Sequence, residues 1–370
     1  MSEASAVQGQ SEPILLQDIS IVSEFKFSGL ISDFNPDEEK RKDAEEEILN
    51  PSNNRLTIKP IDPRFNDIWS NHVQQRDAHW TVGMIDLSED KHDYKKCDEN
   101  LQHFIKSILA FFAGADSIVN ENIDINLSKI TIREAKVAYA FQEMMENVHG
   151  EVYANMLTEI IENPQERIDL INAFRTVRSI KLMIEWAQRW INSERRIAFS
   201  IAVFTIFEGL MFSSAFASIY WLKKYLGEDK MKGFIQSNNY IAKDEGMHTE
   251  FGFLMYSKIK HRLSQDEMNI LMSEAVDISK IFTRDAIKVE MIGMNISLMD
   301  QYLEYVADRL MMSLNYDKIF GTKIPDQFQF MDSIGFLNKE NFFEKRPTEY
   351  QKAYNTKNTA GYKFKLIDNY

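Results

Sequence analysis

Apolar residues recur three and four positions apart over most of the chain from Asp98 to Leu314. Such spacing places them on one face of an α-helix. We predict helices over Leu101 to Val119, Thr131 to Ile161, Ile197 to Tyr225 and Asp229 to Lys260, with two shorter helices within Pro164 to Ile191 and two more within Ser264 to Leu314. There is no strand-helix alternation, glycine-rich phosphate loop or tandem repeat, so the predicted fold class is all-α.

Both ends of the chain differ from this helical region. The first 60 residues are dense in charge, most of all from Asp33 to Glu47, and predict a partly disordered extension that adds little to a core. Near the other end, the polar stretch Asn355 to Tyr362 suits a flexible linker and precedes the apolar terminus Phe364 to Tyr370. We therefore predict an extension (1–60), a helical domain (61–325) and a C-terminal segment (326–370) whose end docks on a partner. Packing of that end on the chain's own surface is the alternative.

The pattern Glu-x-x-His occurs twice in the helical region, about a hundred residues apart. Glu146 and His149 form the first pair, and Glu245 and His248 form the second. Residues three apart on a helix share a face, so each pair points one way. A third copy, residues 89–92, is surrounded by polar residues, and we interpret it as a solvated turn or helix start.

Two further acids lie in very apolar surroundings. Asp116 follows the run 109–113, and Glu208 lies within a nearly uncharged stretch from Ile197 to Leu222. Burying an unpaired carboxylate costs several kcal/mol, so these acids need compensating positive charge. Buried salt bridges could supply it, but few cationic residues lie within helical reach. Two Glu-x-x-His pairs and one carboxylate from each of two other helices predict a dinuclear metal site in a four-helix bundle.

Charge and cysteine content narrow the class of protein. A net charge of −13 argues against nucleic acid as a partner. Cys97 is the only cysteine, which fits the reducing cytosol. The stretch from Ile197 to Leu222 is long enough to span a membrane, but an acid near its middle would be costly there. We predict a central core helix instead and no membrane association.

A site with four carboxylates, two imidazoles and no thiolate favours iron or manganese. Such a site can activate O2, so the residue that is oxidised becomes the question. Tyr153 lies four residues after His149 on the same helical face, and its side chain leans toward the predicted metals. We therefore favour a redox role for Tyr153. Phe212, Phe216 and Ile241 would line the same interior, as residues of any bundle core would.

The chain resembles the small, radical-generating subunit of class I ribonucleotide reductase. The resemblance covers about residue 60 to the end, with the motifs in order. They are Trp80-Thr81, residues 111–122 (FFAGADSIVNEN), residues 145–149 (MENVH) to Tyr153, residues 207–209 (FEG), residues 244–248 (DEGMH), residues 292–295 (IGMN), residues 305–310 (YVADRL) and residues 341–346 (NFFEKR).

This resemblance implies a ferritin-like bundle that holds two iron ions, with manganese as the alternative. The implied ligands are Asp116, Glu146, His149, Glu208, Glu245 and His248. Reaction with O2 would oxidise Tyr153 to a stable radical. Trp80, hydrogen-bonded through Asp244 to His149, would begin a relay that Tyr350 continues into the large subunit.

The resemblance also implies a homodimer that binds the large subunit through Phe364 to Tyr370. The large subunit would reduce ribonucleoside diphosphates to deoxyribonucleotides. That chemistry needs several redox-active cysteines, and Cys97 is alone in this chain, so the substrate site must lie elsewhere. Lys243 stands where many relatives carry Arg, and the two cations are not interchangeable at a fixed hydrogen-bonding position. The residue therefore either changes the proton path near the site or is a surface lysine without a role in it.

Two other functions compete with this one. The first is a di-metal oxidase that acts on a small molecule without a large subunit, and the second is a ferritin-like iron store. Trp80, Tyr350 and the apolar terminus argue against the oxidase, because a self-contained enzyme needs no outward relay. An iron store gives no reason for Tyr153.

Overall fold

The computed structural model describes residues 25–31, 33–55, 62–227, 230–288 and 294–333, and all regular elements in these ranges are helical. The predicted all-α class is therefore confirmed. The α-helices are α1 Pro36–Ala44, α2 Asn66–Asp77, α3 Asp90–Lys96, α4 Glu99–Ile125, α5 Arg133–Ile160, α6 Pro164–Ile171, α7 Ala173–Thr176, α8 Arg178–Ile191, α9 Ile197–Ile206, α10 Ser213–Leu226, α11 Lys232–Ser257, α12 Gln265–Asp285, α13 Ile296–Ser313 and α14 Gln329–Ser333. Short 3₁₀ turns are Gly29–Ile31, Glu47–Leu49, Pro51–Asn53, Pro63–Phe65, Val82–Met84, Leu127–Lys129 and Asp326–Phe328.

The long helices pack side by side around one core. Helix α4 lies along α5, α11 lies along α9, and α2 contacts both α5 and α11. Helices α8, α12 and α13 cover the outside of this group. All ten residues of α9 are buried, which explains why its sequence shows no polar face.

Helix α9 begins the one segment, Ile197–Lys224, that is long and apolar enough to cross a membrane among the described residues. Its most apolar window is entirely buried inside the protein. The segment is therefore a core element, as its central acid predicted.

The predicted helix from Ile197 to Tyr225 is not continuous. A π-helical turn, Phe207–Met211, separates α9 from α10, and it contains Glu208. Gly209 permits the close packing of this turn, because a Cβ there would lie 2.7 Å from a methyl carbon of Leu310 and 3.0 Å from Thr249 Cγ2. Such turns insert one residue into a helix and are frequent at functional sites.

The region from Pro164 to Ile191 contains three helices where we predicted two. Helix α6 ends at Ile171, and the next residue, Asn172, caps it by donating its backbone N–H to the carbonyl of Ile168. Helix α7 is a single turn, and it ends at Val177 with extended backbone (φ −90°, ψ 113°). Helix α6 buries none of its residues and α7 buries only Ala173, so apolar spacing gave no signal that separates the two helices.

The described part of the N-terminal extension is held against the helical core. Asn35 caps α1, and its side chain accepts from two backbone N–H groups of the first turn. Glu39 is buried and accepts from Arg195 Nε at 3.2 Å and from Arg196 Nη1 at 2.8 Å. Ile48 is completely buried. Ile48 is the only buried apolar side chain in the described part of this extension, which also packs on the core through a few polar contacts.

The third Glu-x-x-His copy lies at the start of α3, which confirms the helix-start interpretation, but its Asp90 is not solvated. This carboxylate is completely buried, and it accepts from the backbone N–H groups of Gly233 at 2.9 Å and Phe234 at 2.8 Å. These N–H groups belong to the first turn of α11 and have no partner within the helix. Asp90 thus caps α11 from a distant part of the chain.

Candidate metal centre

Six acidic and imidazole side chains meet inside the helical core. Ligand atoms of Asp116, Glu146 and His149 lie within 4.8 Å of one another. Ligand atoms of a second group, Glu146, Glu208, Glu245 and His248, satisfy the same limit. Glu146 belongs to both groups. The arrangement therefore provides two adjacent cation sites with one shared carboxylate.

Helical spacing explains how each Glu-x-x-His pair comes together. His149 Nδ1 lies 3.2 Å from Glu146 Oε2, and His248 Nδ1 lies 3.2 Å from Glu245 Oε2. The two pairs also meet each other across the core. The distance from His248 Nδ1 to Glu146 Oε1 is 3.0 Å, and that from His149 Nδ1 to Glu245 Oε1 is 3.3 Å. Helices α5 and α11 thus contribute matching halves of the centre.

The four acids are buried and incompletely partnered. Each is at most 5% exposed, and no lysine or arginine of the described ranges forms an ion pair with any of them. Both oxygens of Asp116 and Oε2 of Glu208 have no hydrogen-bond partner, and Oε1 of Glu146 and of Glu245 lies near an imidazole nitrogen without forming a hydrogen bond of good geometry. Uncompensated buried carboxylates are strongly unfavourable. The residues therefore fit a pair of bound cations.

Protons provide the compensating charge when no cation is bound. Burial and the charge of Glu146 raise the pKa of Asp116, and burial and the charge of Glu245 raise the pKa of Glu208. Burial alone would lower the pKa of His248, but the charges and hydrogen-bonding oxygens of Glu146 and Glu245 together outweigh it and raise the pKa to about 10. Metal binding at this centre must consequently displace protons.

Gln142 is a member of the site that the sequence analysis missed. It is completely buried on α5, and its amide nitrogen donates to Glu208 Oε1 at 3.1 Å. Gln142 lies one turn before Glu146, on the face that was already assigned to the site. Extending that face by four residues would have found it. Its role is to orient the carboxylate that the π turn presents.

A hydrogen-bonded path leaves the centre through His149. His149 Nε2 lies 3.0 Å from Asp244 Oδ2, and the same oxygen accepts from Trp80 Nε1 at 2.7 Å. Trp80 is 2% exposed. Its ring stacks on that of His149, with 5.8 Å between centroids and 15° between planes. The structure thus joins the imidazole to the indole both by hydrogen bonds and by ring contact.

Tyr153 lies in a buried, aromatic part of the same core. It is 3% exposed, its hydroxyl has no hydrogen-bond partner, and its ring stacks on Phe112 at 4.8 Å and 5°. Burial raises the pKa of Tyr153 well above its usual value, and the charges of Asp116, Glu245 and Glu146 add to this. The phenol therefore keeps its proton, and oxidation must remove both an electron and that proton.

A cavity of about 10 Å³ adjoins the Tyr153 ring. Phe112, Phe216 and Ile241 line it, as do the polar residues Ser237 and Asn238. The apolar residues Phe212, Phe216 and Ile241 were all predicted for this interior. Phe216 and Ile241 line the cavity, and Phe212 stacks on Phe112 with 5.9 Å between ring centroids. Both polar atoms of the Asn238 side chain are buried without a partner. The sequence signal was available, because residue 238 lies one turn before residue 241 on the same face.

Four other features of the sequence were considered above, namely Tyr350, the terminus Phe364 to Tyr370, Lys243 and Cys97. Tyr350 and the terminus Phe364 to Tyr370 fall outside the described residues. Lys243 is exposed. Cys97 is half-buried, and burial raises the pKa of its thiol to about 11, so it is a poor nucleophile at neutral pH.

A family model described as "Ribonucleotide reductase, small chain" matches residues 55–327. This range contains all six side chains of the centre, together with Trp80, Tyr153 and Asp244.

The chain belongs to the ribonucleotide reductase small-chain family.

Curated members of the small-chain family are similar over most of their length. The ribonucleoside-diphosphate reductase small chain of Plasmodium falciparum is 40% identical over 318 residues, which cover 86% of this chain and 89% of that protein. The small chain of Schizosaccharomyces pombe is 41% identical over 317 residues, covering 85% and 79%. The function is therefore that of a small chain of ribonucleoside-diphosphate reductase, and the competing oxidase and iron-store interpretations are set aside.

Solved structures of small chains share the fold. The ribonucleotide reductase Rnr4 homodimer from Saccharomyces cerevisiae is 27% identical, with a TM-score of 0.73 over 85% of this chain and 96% of that chain. The dimanganese(II) NrdF from Streptococcus sanguinis matches at a TM-score of 0.64, covering 76% and 99%, and at 16% identity it speaks for the fold alone. The predicted ferritin-like bundle is confirmed.

Proposed function

We propose that this chain generates the radical of a class I ribonucleoside-diphosphate reductase, with Tyr153 as the oxidised residue. The observation that carries the proposal is the overlap of two ligand groups at Glu146, deep in a core that also contains a buried, unpartnered phenol. Family membership supports the overall activity. The roles of individual residues rest on the geometry described above.

Two metal ions fit the centre, and we propose that they are iron. Asp116, Glu146 and His149 would hold one ion, and the second would share Glu146. Its remaining ligands would be Glu208, Glu245 and His248. Bound iron supplies the O2-dependent oxidation of a nearby side chain. Oxygen and imidazole donors without thiolate suit iron, and manganese accepts the same set.

The surroundings of Tyr153 suit a long-lived radical. Phe112 covers one face of the ring, and the adjoining cavity is about the size of a single water molecule. Reductants in solution therefore have no direct route to the phenoxyl group. The side chain has no hydrogen-bond partner that would fix its proton in place.

The path through His149, Asp244 and Trp80 suits transfer of the radical away from the centre. We propose that Tyr350 continues this transfer and that Phe364 to Tyr370 docks on the large subunit. Reduction of the ribose then takes place in that subunit, because the thiol of Cys97 is held protonated and has no second cysteine beside it. By analogy with the Rnr4 homodimer, we propose that two copies of this chain pair in the cytoplasm.

The proposal is tested by loading the metal-free protein with Fe(II) in air and recording visible and EPR spectra. We expect a sharp tyrosyl absorption band and an EPR signal near the organic-radical value in the wild type. Tyr153→Phe should abolish both. Tyr139→Phe is the matched control, because Tyr139 is also on α5, is 3% exposed and has an unpartnered hydroxyl. A signal that survives in Tyr153→Phe would contradict the assignment.

A further inference from the structure

Trp80 lies between two rings, only one of which belongs to the path described so far. His149 covers one side, and Tyr240 covers another with 5.2 Å between ring centroids and 19° between planes. Trp80 is buried, whereas Tyr240 is half-buried. Tyr240 is therefore the next aromatic group outward from the indole.

Helix α11 places Tyr240 and the hydrogen-bond acceptor of Trp80 on one face. Asp244 follows Tyr240 by four residues, so the two side chains lie one helical turn apart on the face of α11 that contacts Trp80. The chain that carries Trp80 is fixed against the same helix further along. A Cβ on Gly233 would lie 2.4 Å from the backbone oxygen of Asp86, which shows how closely the two segments approach. The segment that follows Trp80 is thus packed closely against α11, the helix that carries Tyr240.

The Tyr240 hydroxyl differs from that of Tyr153 in its access to water. It accepts or donates no hydrogen bond within the described residues, and it is not among the buried polar atoms that lack a partner. Its oxygen is therefore reached by solvent. A phenol in this position can lose a proton to water at the moment it loses an electron.

We propose that Tyr240 is a redox-active member of the relay, which accepts the oxidising equivalent from Trp80 and carries it toward the protein surface. In this step one electron passes from the Tyr240 ring to the oxidised indole, and the phenol O–H proton passes to water. Trp80 returns to its neutral form with its N–H still bound to Asp244, and Tyr240 becomes a neutral phenoxyl radical. The oxidant is the radical produced at Tyr153, so the inference rests on the proposed function.

A purely structural role for Tyr240, as a ring that holds Trp80 in place, is the competing explanation. Phenylalanine has the same ring but cannot form a phenoxyl radical, so Tyr240→Phe separates the two. The full-length variant is loaded with iron in air and assayed with the large subunit and substrate. We expect an unchanged yield of the Tyr153 radical and a loss of turnover of at least about tenfold, which corresponds to about 1.4 kcal/mol of barrier.

Tyr220→Phe serves as the matched control. Tyr220 is a buried tyrosine of α10 without a hydrogen bond in the described chain, and it plays no part in the path. Its variant should keep wild-type turnover. A wild type that forms no radical would refute the proposed function and the inference with it. Wild-type turnover by Tyr240→Phe, beside a normal wild-type radical, would refute the inference alone.

A second measurement locates the radical directly. Incorporating 3-aminotyrosine at position 240 provides a side chain that is easier to oxidise than tyrosine and therefore traps the radical. We expect a new EPR signal of an aminophenoxyl radical, which forms only when the large subunit and substrate are present and which grows as the Tyr153 signal decays. A Tyr153 signal that decays without any signal from position 240 would overturn the inference.

Discussion

Asp244 offers the most quantitative test of the path that leaves the centre. One of its oxygens accepts two hydrogen bonds, from Trp80 Nε1 at 2.7 Å and from His149 Nε2 at 3.0 Å. All three side chains are at most 3% exposed. Asp244→Ala would leave both N–H groups buried without an acceptor. Each such group costs about 1–3 kcal/mol, so we expect a loss of about 2–6 kcal/mol in the free energy of unfolding.

Asp244→Asn is the informative companion variant. An amide oxygen can still accept both bonds, but it lacks the negative charge that strengthens them. The difference between charged and neutral hydrogen bonds predicts a loss of about 1–3 kcal/mol. Asp77→Ala serves as a surface control, since this carboxylate is 65% exposed beside Arg76 and should change stability by less than about 1 kcal/mol.

The assay is denaturant unfolding of the metal-free protein in the presence of a chelator, because bound metal would add its own stabilisation to the folded state. We expect the order wild type, Asn, Ala in decreasing stability. If Asp244→Ala were no less stable than Asp244→Asn, the two hydrogen bonds would not hold Trp80 and His149 together as described.

Three further predictions concern the π turn, the protons of the centre and the terminus. Gly209→Ala should lower the free energy of unfolding by about 1–3 kcal/mol, because the added Cβ would clash with Leu310. Gly150→Ala is the control, since a Cβ at that position meets nothing within 4 Å, and its stability should equal or exceed that of the wild type. Denaturant unfolding measures both. Metal uptake should release protons and weaken as the pH falls, because Asp116, Glu208 and the two histidines have raised pKa values in the metal-free protein. Titration calorimetry in buffers of different ionisation enthalpy measures the number of protons released. Metal uptake without proton release would contradict the prediction. Deleting Phe364 to Tyr370 should abolish large-subunit binding and leave radical formation intact, and unchanged affinity would rule out the docking role.

The two Glu-x-x-His pairs could be recognised from sequence because local helical geometry determines their direction. Because Glu and His of each pair are three residues apart, the helix itself places both side chains on one face, whatever the tertiary contacts. The apolar neighbours of each pair indicate that this face is buried. Asp116 and Glu208 stood out for a related reason, since an isolated acid in an apolar stretch must have a partner. The structure brings all six side chains together.

Other features depend on contacts between segments and left no local trace. The π turn at Phe207–Met211 could not be found, because residues on every side of that helix are apolar and no phase shift is visible. The cap formed by Asp90 was missed because polar neighbours in sequence suggested solvent. The stack of Tyr240 on Trp80 likewise depends on which surfaces face each other across 160 residues of chain.

We propose that two cations share Glu146 inside the helical core. Anomalous diffraction from crystals of the iron-loaded protein measures this directly, because each metal gives its own peak. We predict two adjacent peaks per chain, one beside Asp116 and His149 and the other beside Glu208 and His248, with Glu146 contacting both. A single peak, or two peaks outside this cluster, would show that Glu146 is not shared by two cations.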